Sequence, residues 1–165
     1  MLNTSPAEQR PDASDAAPVS GLEDHLGYWL RVVSNHVSHA FQERVERHGV
    51  TLAEWVVLRA LYGDEGARPS QLAQKLGLSR GAVSKLMDRL AAKGLLVTRA
   101  DALDGRGLLL DLTETGRALV PVLASEADRN DAEAFVHLSA DEREALRQTL
   151  QRLAARLGLE GAPVD

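Results

Sequence analysis

Hydrophobic residues recur every three or four positions over most of the chain, and this spacing predicts six helices. The first predicted helix covers 22–48 and has one continuous apolar stripe. A capping box at 51–54 opens the second helix, which is apolar on nearly every side and is expected to be buried. Two short helices follow within 69–94. Two longer helices begin at the caps Thr113 and Ser139, so the chain is predicted to be mainly α-helical.

One segment breaks the helical spacing and has the pattern of a β-hairpin. Residues 95–99 and 108–112 are predicted strands, and the polar stretch 101–107 between them is a turn of hairpin length. The hairpin follows directly after the two short helices. That order predicts a winged helix-turn-helix lobe over 51–112, in which the small β-hairpin is the wing.

The two short helices contain the residues that a helix-turn-helix needs. Ala73 is small enough for a close helix crossing, Gly77 takes the positive φ of the turn, and Val83 packs under the first helix. Ser79 caps the second helix. The stretch 77–81 also matches the G-x-S-x-G pattern of hydrolases, but that motif requires a strand before the serine, where a helix is predicted. Leucines complete the apolar underside at positions 72, 76, 78, 86 and 90.

The second short helix has a polar face opposite its apolar one, and we predict that this face enters the major groove of DNA. Arg80 and Lys85 can donate to guanine O6 and N7. Asp88 repels DNA unless it pairs with Lys85 or accepts from cytosine. The alternative is a solvated helix face of mixed charge. The predicted DNA contacts of the two helices are Ser70, Gln71, Ser79, Arg80, Gly81, Ser84, Lys85 and Arg89.

Charge is distributed unevenly along the chain. The formal net charge of −5 by itself argues against a nucleic-acid partner. Residues 67–112 nevertheless contain eight Lys or Arg and four Asp or Glu, a net of +4, and the remainder has a net of −9. A basic block inside an acidic chain is typical of a nucleic-acid surface, although chance clustering of surface charge gives the same numbers.

The turn of the hairpin provides a second candidate contact with DNA. An arginine at the tip of a wing can enter a narrow minor groove, where the potential is most negative, and Arg106 occupies that position. Asp104 lies two residues away and is expected to orient it. The alternative is an ordinary surface turn with an internal ion pair.

Three segments together resemble the MarR (multiple antibiotic resistance regulator) family of winged-helix repressors. They are LAQKLGLSRGAVSKLMDRL at 72–90, AKGLL at 92–96, and DALDGRG at 101–107, which leads into LTETGR at 112–117. The resemblance covers about residues 22–158. The wing of the family usually has two adjacent arginines after the aspartate. Here Gly105 replaces the first and Arg106 matches the second.

The resemblance implies a homodimer and a ligand. Helices within 22–48 and 113–158 would intertwine as a helical dimerisation layer, and two winged lobes would bind a near-palindromic operator in double-stranded DNA. Many members also bind small phenolic or carboxylate molecules in a cleft. On the resemblance, that cleft would be lined by Trp29, His36, His39, Trp55 and Arg59.

Other interpretations of these cleft residues remain open. The stripe of Trp29, His36 and His39 also suits a seam between two subunits, and Trp55 also suits a hydrophobic core. A metal site at His36 and His39 is an alternative because residues three apart share a helix face, but a third ligand is missing. No metal or cofactor is therefore expected.

Composition excludes several protein classes. The absence of cysteine excludes disulfides, thiolate metal sites, thiol redox sensing and cysteine nucleophiles. No apolar run approaches the about 20 residues of a membrane helix, and the N-terminus lacks the features of a signal peptide. We therefore expect a cytoplasmic protein with no membrane partner. Residues 1–21 are expected to form a disordered tail, and 159–165 a short C-terminal tail.

These observations predict a sequence-specific DNA-binding transcriptional regulator and not an enzyme. The expected form is a homodimeric repressor that a small aromatic or anionic ligand releases from DNA. The alternative from another class is a winged-helix module that binds proteins and not DNA, which the overall acidity would suit.

Overall fold

The computed structural model describes residues 19–102 and 107–159. Over these residues the chain is mainly helical with a two-stranded antiparallel wing, as predicted. A single 3-10 turn at Leu22–Asp24 comes first. The other elements are α1 (Leu26–Glu46), α2 (Leu52–Leu61), α3 (Pro69–Leu76), α4 (Arg80–Ala92), β1 (Leu96–Ala100), β2 (Leu108–Leu112), α5 (Glu114–Ala134) and α6 (Ala140–Arg156).

The predicted starts of α2, α5 and α6 are confirmed by their capping hydrogen bonds. In the box that opens α2, the Glu54 amide donates to Thr51 Oγ1 and the Thr51 amide donates to Glu54 Oε2. Ser139 and Glu142 repeat this arrangement at α6. Thr113 Oγ1 accepts from the Gly116 amide at α5. Each bond satisfies a backbone donor that has no partner within its helix, which is why these sequences begin helices.

Two predicted boundaries are wrong by a few residues. The single helix expected over 22–48 is divided at His25, which is extended (φ −99°, ψ 124°), because Asp24 caps the Gly21 amide and closes a separate 3-10 turn. The first strand begins at Leu96 and not at Leu95. The Leu95 amide instead donates to Leu90 O (2.9 Å) and completes the end of α4, where Gly94 has a φ of +68°.

The chain divides into two units at Ser34, within α1. In the first unit, Trp29 Nε1 donates to the Glu23 carbonyl (2.8 Å) and the Trp29 ring meets Tyr28 edge to face. The second unit holds nearly all of the buried core. Its most deeply buried large side chains come from α2, α4, both strands and α5: Leu58, Leu90, Leu96, Leu110 and Leu123.

The wing is a short ladder joined to the helical core. Leu96 pairs with Leu112 at its base and Ala100 pairs with Leu108 at its far end. The Leu110 amide donates to Ala67 O (2.9 Å), which connects the sheet to the segment just before α3. This bond holds the wing beside the two short helices.

The long helices leave apolar side chains uncovered. Val45 is the one buried residue of α1, although the sequence predicted a full apolar stripe, and α6 has no buried residue. The N-terminal half of that stripe, at Leu26, Leu30 and Val33, is exposed. None of the helices in 19–102 and 107–159 is long and apolar enough to span a membrane.

Candidate nucleic-acid interface

Helices α3 and α4 form the predicted helix-turn-helix. Ala73 is buried at the crossing, and Gly77 caps α3 in the left-handed conformation with a φ of +67°. The Leu78 amide donates to Ala73 O (2.9 Å) and ends the turn. Ser79 Oγ then accepts from the Ala82 amide (3.2 Å) and starts α4. Ser79 is thus a helix cap preceded by a helix, so the geometry of a hydrolase nucleophile elbow is absent.

The underside of α4 is buried and its opposite face is free. Val83, Leu86, Met87 and Leu90 point into the core. The outer face presents Arg80, Gly81, Ser84, Lys85 and Arg89, all exposed. A Cβ atom on Gly81 would meet nothing within 4 Å, so a flat surface can approach the backbone there.

The cations of this face have no acidic partner within the described residues. Neither Arg80 nor Lys85 forms a side-chain hydrogen bond or ion pair there, and Arg89 forms none either. Asp88 is exposed and does not pair with Lys85, contrary to one arrangement that the sequence suggested. Three unpaired cations on one exposed surface are available to an external anion.

A groove of about 420 Å³ lies beside this face and joins α3, α4 and the wing. Its lining includes Ser70 at the start of α3, Arg80 at the start of α4 and Leu108 of β2. A hydroxyl and a guanidinium are both donors to phosphate oxygens. Gln71 is exposed next to Ser70, but its side-chain oxygen already accepts from the Arg68 amide (3.2 Å), so its NH2 group alone is free to donate outward.

Two acidic residues connect the wing to the segment before α3: Asp111 lies near the base of the ladder, and Asp101 lies just beyond its far end. Asp111 accepts from Arg99 Nε (2.6 Å) and from the Gly66 amide (2.7 Å). The Arg99 hydrogen bond is the main reason that the pKa of Asp111 is lowered below its ordinary value. Asp101 is buried and pairs with Arg68 (2.5 Å), at the N-cap of α3.

Sequence reasoning missed these wing ion pairs. Arg99 and Asp111 are opposite charges on facing strands, and that was an available signal. No local pattern links Arg68 to Asp101, which are 33 positions apart. The predicted tip residues Asp104 and Arg106 lie outside the described residues. The described wing ends where the Asp101 amide donates to Gly107 O (2.9 Å).

The residues predicted to line a ligand cleft are found in different surroundings. Trp29 is about half exposed (48%) in the first unit. His36 is exposed, and His39 lies 3.4 Å from Glu43 on the same helix. No group of three His, Cys, Asp or Glu able to hold a metal ion occurs among the described residues.

Trp55 and Arg59 line one cavity of about 590 Å³ between α2 and the end of α3. Trp55 is mostly buried and contacts Phe41 edge to face, so it is also part of the core. The structure adds Tyr62, Asp64 and Lys75 to the lining. Lys75 Nζ donates to Ala60 O (3.1 Å) and lies 3.7 Å from Asp64. Neither histidine of α1 belongs to this lining.

Comparison with known proteins gives the same fold and a family. The model of the MarR family matches residues 48–107. The transcriptional regulator MhqR of Bacillus subtilis is 30% identical over 128 residues, which are 74% of this chain and 82% of MhqR. A mutant of MarR from E. coli, solved with operator DNA, superposes with a TM-score of 0.70 at 26% identity, covering 78% of this chain and 92% of that one.

A third similar protein is one whose DNA binding a small molecule regulates. BpsR of Bordetella bronchiseptica, described in a study of how 6-hydroxynicotinic acid regulates its DNA binding, superposes with a TM-score of 0.73 at 26% identity. The match covers 83% of this chain and 98% of BpsR. On the helix-turn-helix, the wing and these similarities, the protein belongs to the MarR family of winged-helix, DNA-binding transcriptional regulators, and it is not an enzyme.

Proposed function

We propose that this protein is a homodimeric repressor that recognises a near-palindromic operator and leaves it when a small aromatic or anionic ligand binds. The observation that supports operator recognition best concerns Arg80 and Lys85. Both are exposed, have no ionic partner in the described residues, and lie opposite the buried underside of α4. This side of the helix enters the major groove, where each good bidentate contact with a guanine contributes about 1–3 kcal/mol of discrimination.

The remaining polar residues of the lobe bind the DNA backbone. Ser79, Ser84 and Arg89 flank the reading cations on α4, and Gly81 lets the duplex approach. Ser70 and the NH2 group of Gln71 donate to a phosphate in the groove at the start of α3. Such contacts fix the register of the protein on the duplex and do not themselves read sequence.

The wing supplies a minor-groove contact through Arg106, which Asp104 orients. The support comes from the described part of the hairpin: the Arg99–Asp111 pair joins its two strands to each other, and the Arg68–Asp101 pair connects the far end of the ladder to the start of α3. Loss of Arg106 is expected to weaken binding with less effect on major-groove preference.

Dimerisation covers the exposed apolar positions of the long helices. Leu146, Leu150 and Leu153 form one face of α6 and are each about two-fifths exposed. Water-exposed leucines at helical spacing are costly in a monomer and favour association. Two symmetric lobes would meet two half-sites about 10 base pairs apart, centre to centre.

The cavity lined by Trp55 and Arg59 is the candidate ligand site. An aromatic wall and nearby cations suit an aromatic anion, and BpsR is a relative whose DNA binding such a molecule regulates. A ligand in contact with both α2 and the end of α3 would change how these two helices pack against α4, the helix proposed to enter the major groove. In a thermal-shift screen of aromatic carboxylates, a true ligand raises the melting temperature of the wild type and raises that of Arg59→Ala less.

Operator binding is tested by fluorescence anisotropy with the duplex upstream of the protein's own gene. Arg80→Ala and Lys85→Ala are each expected to weaken binding by about 1–3 kcal/mol and to relax sequence preference. Arg47→Ala is the control, because Arg47 is an exposed cation without a partner in the described residues and lies outside the lobe. Binding is also expected to fall steeply with salt through counterion release.

Two outcomes would contradict the proposal. If Arg80→Ala, Lys85→Ala and Arg106→Ala all bind the operator as the wild type does, the reading surface is wrongly assigned. If the wild type binds no duplex even at low salt, the winged helix is a protein-binding module instead.

A further inference from the structure

An ion pair with a buried carboxylate and a partly exposed ammonium joins the end of α4, the helix proposed to enter the major groove, to the start of α2. Glu54 is 1% exposed, and its Oε2 accepts from Lys93 Nζ at 2.6 Å. Lys93 is the C-cap of α4, and its Nζ also donates to Gly49 O (2.8 Å) in that turn. One side chain from α4 therefore contacts both sides of the α1–α2 corner.

Helix capping does not explain this pair. Glu54 and Glu142 occupy the same position in the two capping boxes, and each accepts from the amide of its capping residue at 2.8 Å. Glu142 is exposed and has no cationic partner in the described residues, yet α6 begins normally. The burial of Glu54 and its contact with Lys93 are additional to what the cap requires.

The start of α5 also contacts this end of α4. Thr113 Oγ1 donates to Gly94 O (2.7 Å), and the Thr113 amide donates to Leu95 O (3.2 Å). Gly116 approaches so closely that a Cβ atom there would lie 2.0 Å from Leu95 O. The C-terminal end of α4 thus has contacts with two other elements, whereas its N-terminal end presents Arg80 to solvent.

We infer that Glu54 and Lys93 are positioning residues that set the direction of α4 and thereby its sequence specificity. The inference rests on the proposed reading of DNA by α4. The 13 residues of α4 make a lever of about 20 Å at 1.5 Å per residue. A turn of about 5° at the Lys93 end displaces Arg80 by roughly 1.7 Å, which is enough to break a bidentate hydrogen bond.

The consequence differs for specific and non-specific binding. Base contacts require the helix at one angle, so they are lost when α4 turns. Attraction to phosphates depends mainly on the number of cations on the surface, so it survives. The ratio of the affinity for a selected duplex to that for a scrambled one therefore reports the direction of α4, and a general loss of folded protein does not change it.

The test compares Glu54→Gln with Glu142→Gln, which make the same chemical change at the same position of two capping boxes. The probes are a duplex that the wild type selects from a random library and a scrambled duplex of the same length. Both are measured at the same salt concentration. Glu54→Gln is expected to lower the specificity ratio by about fivefold or more, as for one lost bidentate contact. Its binding to the scrambled duplex stays equal or becomes tighter, because a negative charge is removed.

The controls separate positioning from stability. Glu142→Gln removes the same charge and is expected to keep the wild-type ratio. Lys93→Met removes the ammonium and keeps most of the stem, and it is expected to repeat the loss. Lys93→Arg restores a donor that reaches Glu54 and is expected to recover the ratio. Lys93→Met carries the test if Glu54→Gln does not fold, since the Lys93 side chain is 37% exposed.

Three results would overturn the inference. One is an unchanged specificity ratio in folded Glu54→Gln or, where that variant does not fold, in Lys93→Met. Another is an equal loss of affinity for both duplexes, because it assigns the pair a structural role only. The third is the same fall in Glu142→Gln, since charge alone would then explain it. A wild type that selects no duplex contradicts the proposed function itself and is recognised before any variant is measured.

Discussion

Helices α4 and α6 differ in how far one chain buries their apolar side chains. Helix α4 buries four apolar side chains and exposes a cationic face, whereas α6 has no buried residue and exposes its leucines. The apolar face of α4 is therefore covered within one chain. The leucine face of α6 has no such cover, which is the physical reason to expect a second copy of the chain against it.

Charge is also unevenly divided between the helix-turn-helix with its wing and the rest of the chain. Residues 67–112 have a net charge of +4, and the rest of the chain has −9. The acidic regions repel a phosphate backbone, so an approaching duplex is directed to the lobe. On the proposed function, the lobe binds DNA and the long helices form the dimer, so mutations in the two regions should fail in different assays.

The largest contrast is expected between Leu90→Ala in α4 and Leu150→Ala in α6. Leu90 is fully buried, so its truncation leaves a cavity and should lower the free energy of unfolding by about 2–5 kcal/mol. Leu150 is 42% exposed in the single chain, so its truncation should change the stability of a dilute monomer little. Urea unfolding at low protein concentration measures both.

The corresponding measurement for α6 is how dimer formation and the melting temperature depend on protein concentration. If Leu150 contacts a second copy, Leu150→Ala raises the dimer dissociation constant in sedimentation equilibrium, and the wild-type melting temperature rises with protein concentration. Equal losses of monomer stability in the two variants, or a monomeric wild type at every concentration, would remove the distinction between the regions.

A smaller loss of folding stability is expected from a substitution at the contact between the end of α4 and the start of α5. Gly116→Ala introduces a Cβ atom that would lie 2.0 Å from the Leu95 carbonyl oxygen, so the start of α5 must shift. Forced repacking of this kind costs about 1–3 kcal/mol. Gly27→Ala is the control, because its Cβ would meet nothing within 4 Å in α1. That substitution should stabilise the helix slightly. A destabilised Gly27→Ala and an unchanged Gly116→Ala would contradict the packing argument.

Local chemistry made most of the lobe predictable. The cap at Ser79 and the turn glycine at 77 depend on neighbouring atoms, and the structure has both as the sequence indicated. Predictions that depended on residues far away in the chain, or on a second chain, were less accurate. Periodicity identified the stripe of α1 as apolar, but not that Leu30 and Val33 are uncovered in a single chain.

Ion pairs between residues far apart in the chain could not be predicted either, because only the fold brings the two partners together. Glu54 was recognised as a capping residue, and its partner Lys93 is 39 positions away. The Arg68–Asp101 contact likewise depends on how the wing packs against the start of α3. The predicted wing tip lies outside the described residues, so Asp104 and Arg106 stay predictions.

The smallest expected effect is a pH dependence at the base of the wing. Arg99 and the Gly66 amide stabilise the charged form of Asp111, so its pKa in the folded protein is lowered from the ordinary value of 3.8. The stabilisation is complete above that ordinary pKa and is lost as pH falls through the lower, folded pKa. Because Arg99 is more than half exposed, the contribution is at most about 1 kcal/mol.

Asp111→Asn isolates this contribution. Melting temperatures between pH 7 and pH 3 should show the wild type more stable than the variant near neutrality, with the difference shrinking as the solution becomes acidic. Glu142→Gln in α6 is the companion variant, since hydrogen bonds from Ser139 also lower the pKa of Glu142 but no arginine contributes. Added salt should therefore reduce the difference for Asp111→Asn more than for Glu142→Gln. A difference for Asp111→Asn that grows on acidification would mean that the folded protein favours the protonated carboxyl, and the wing base would not be held by the Arg99 ion pair.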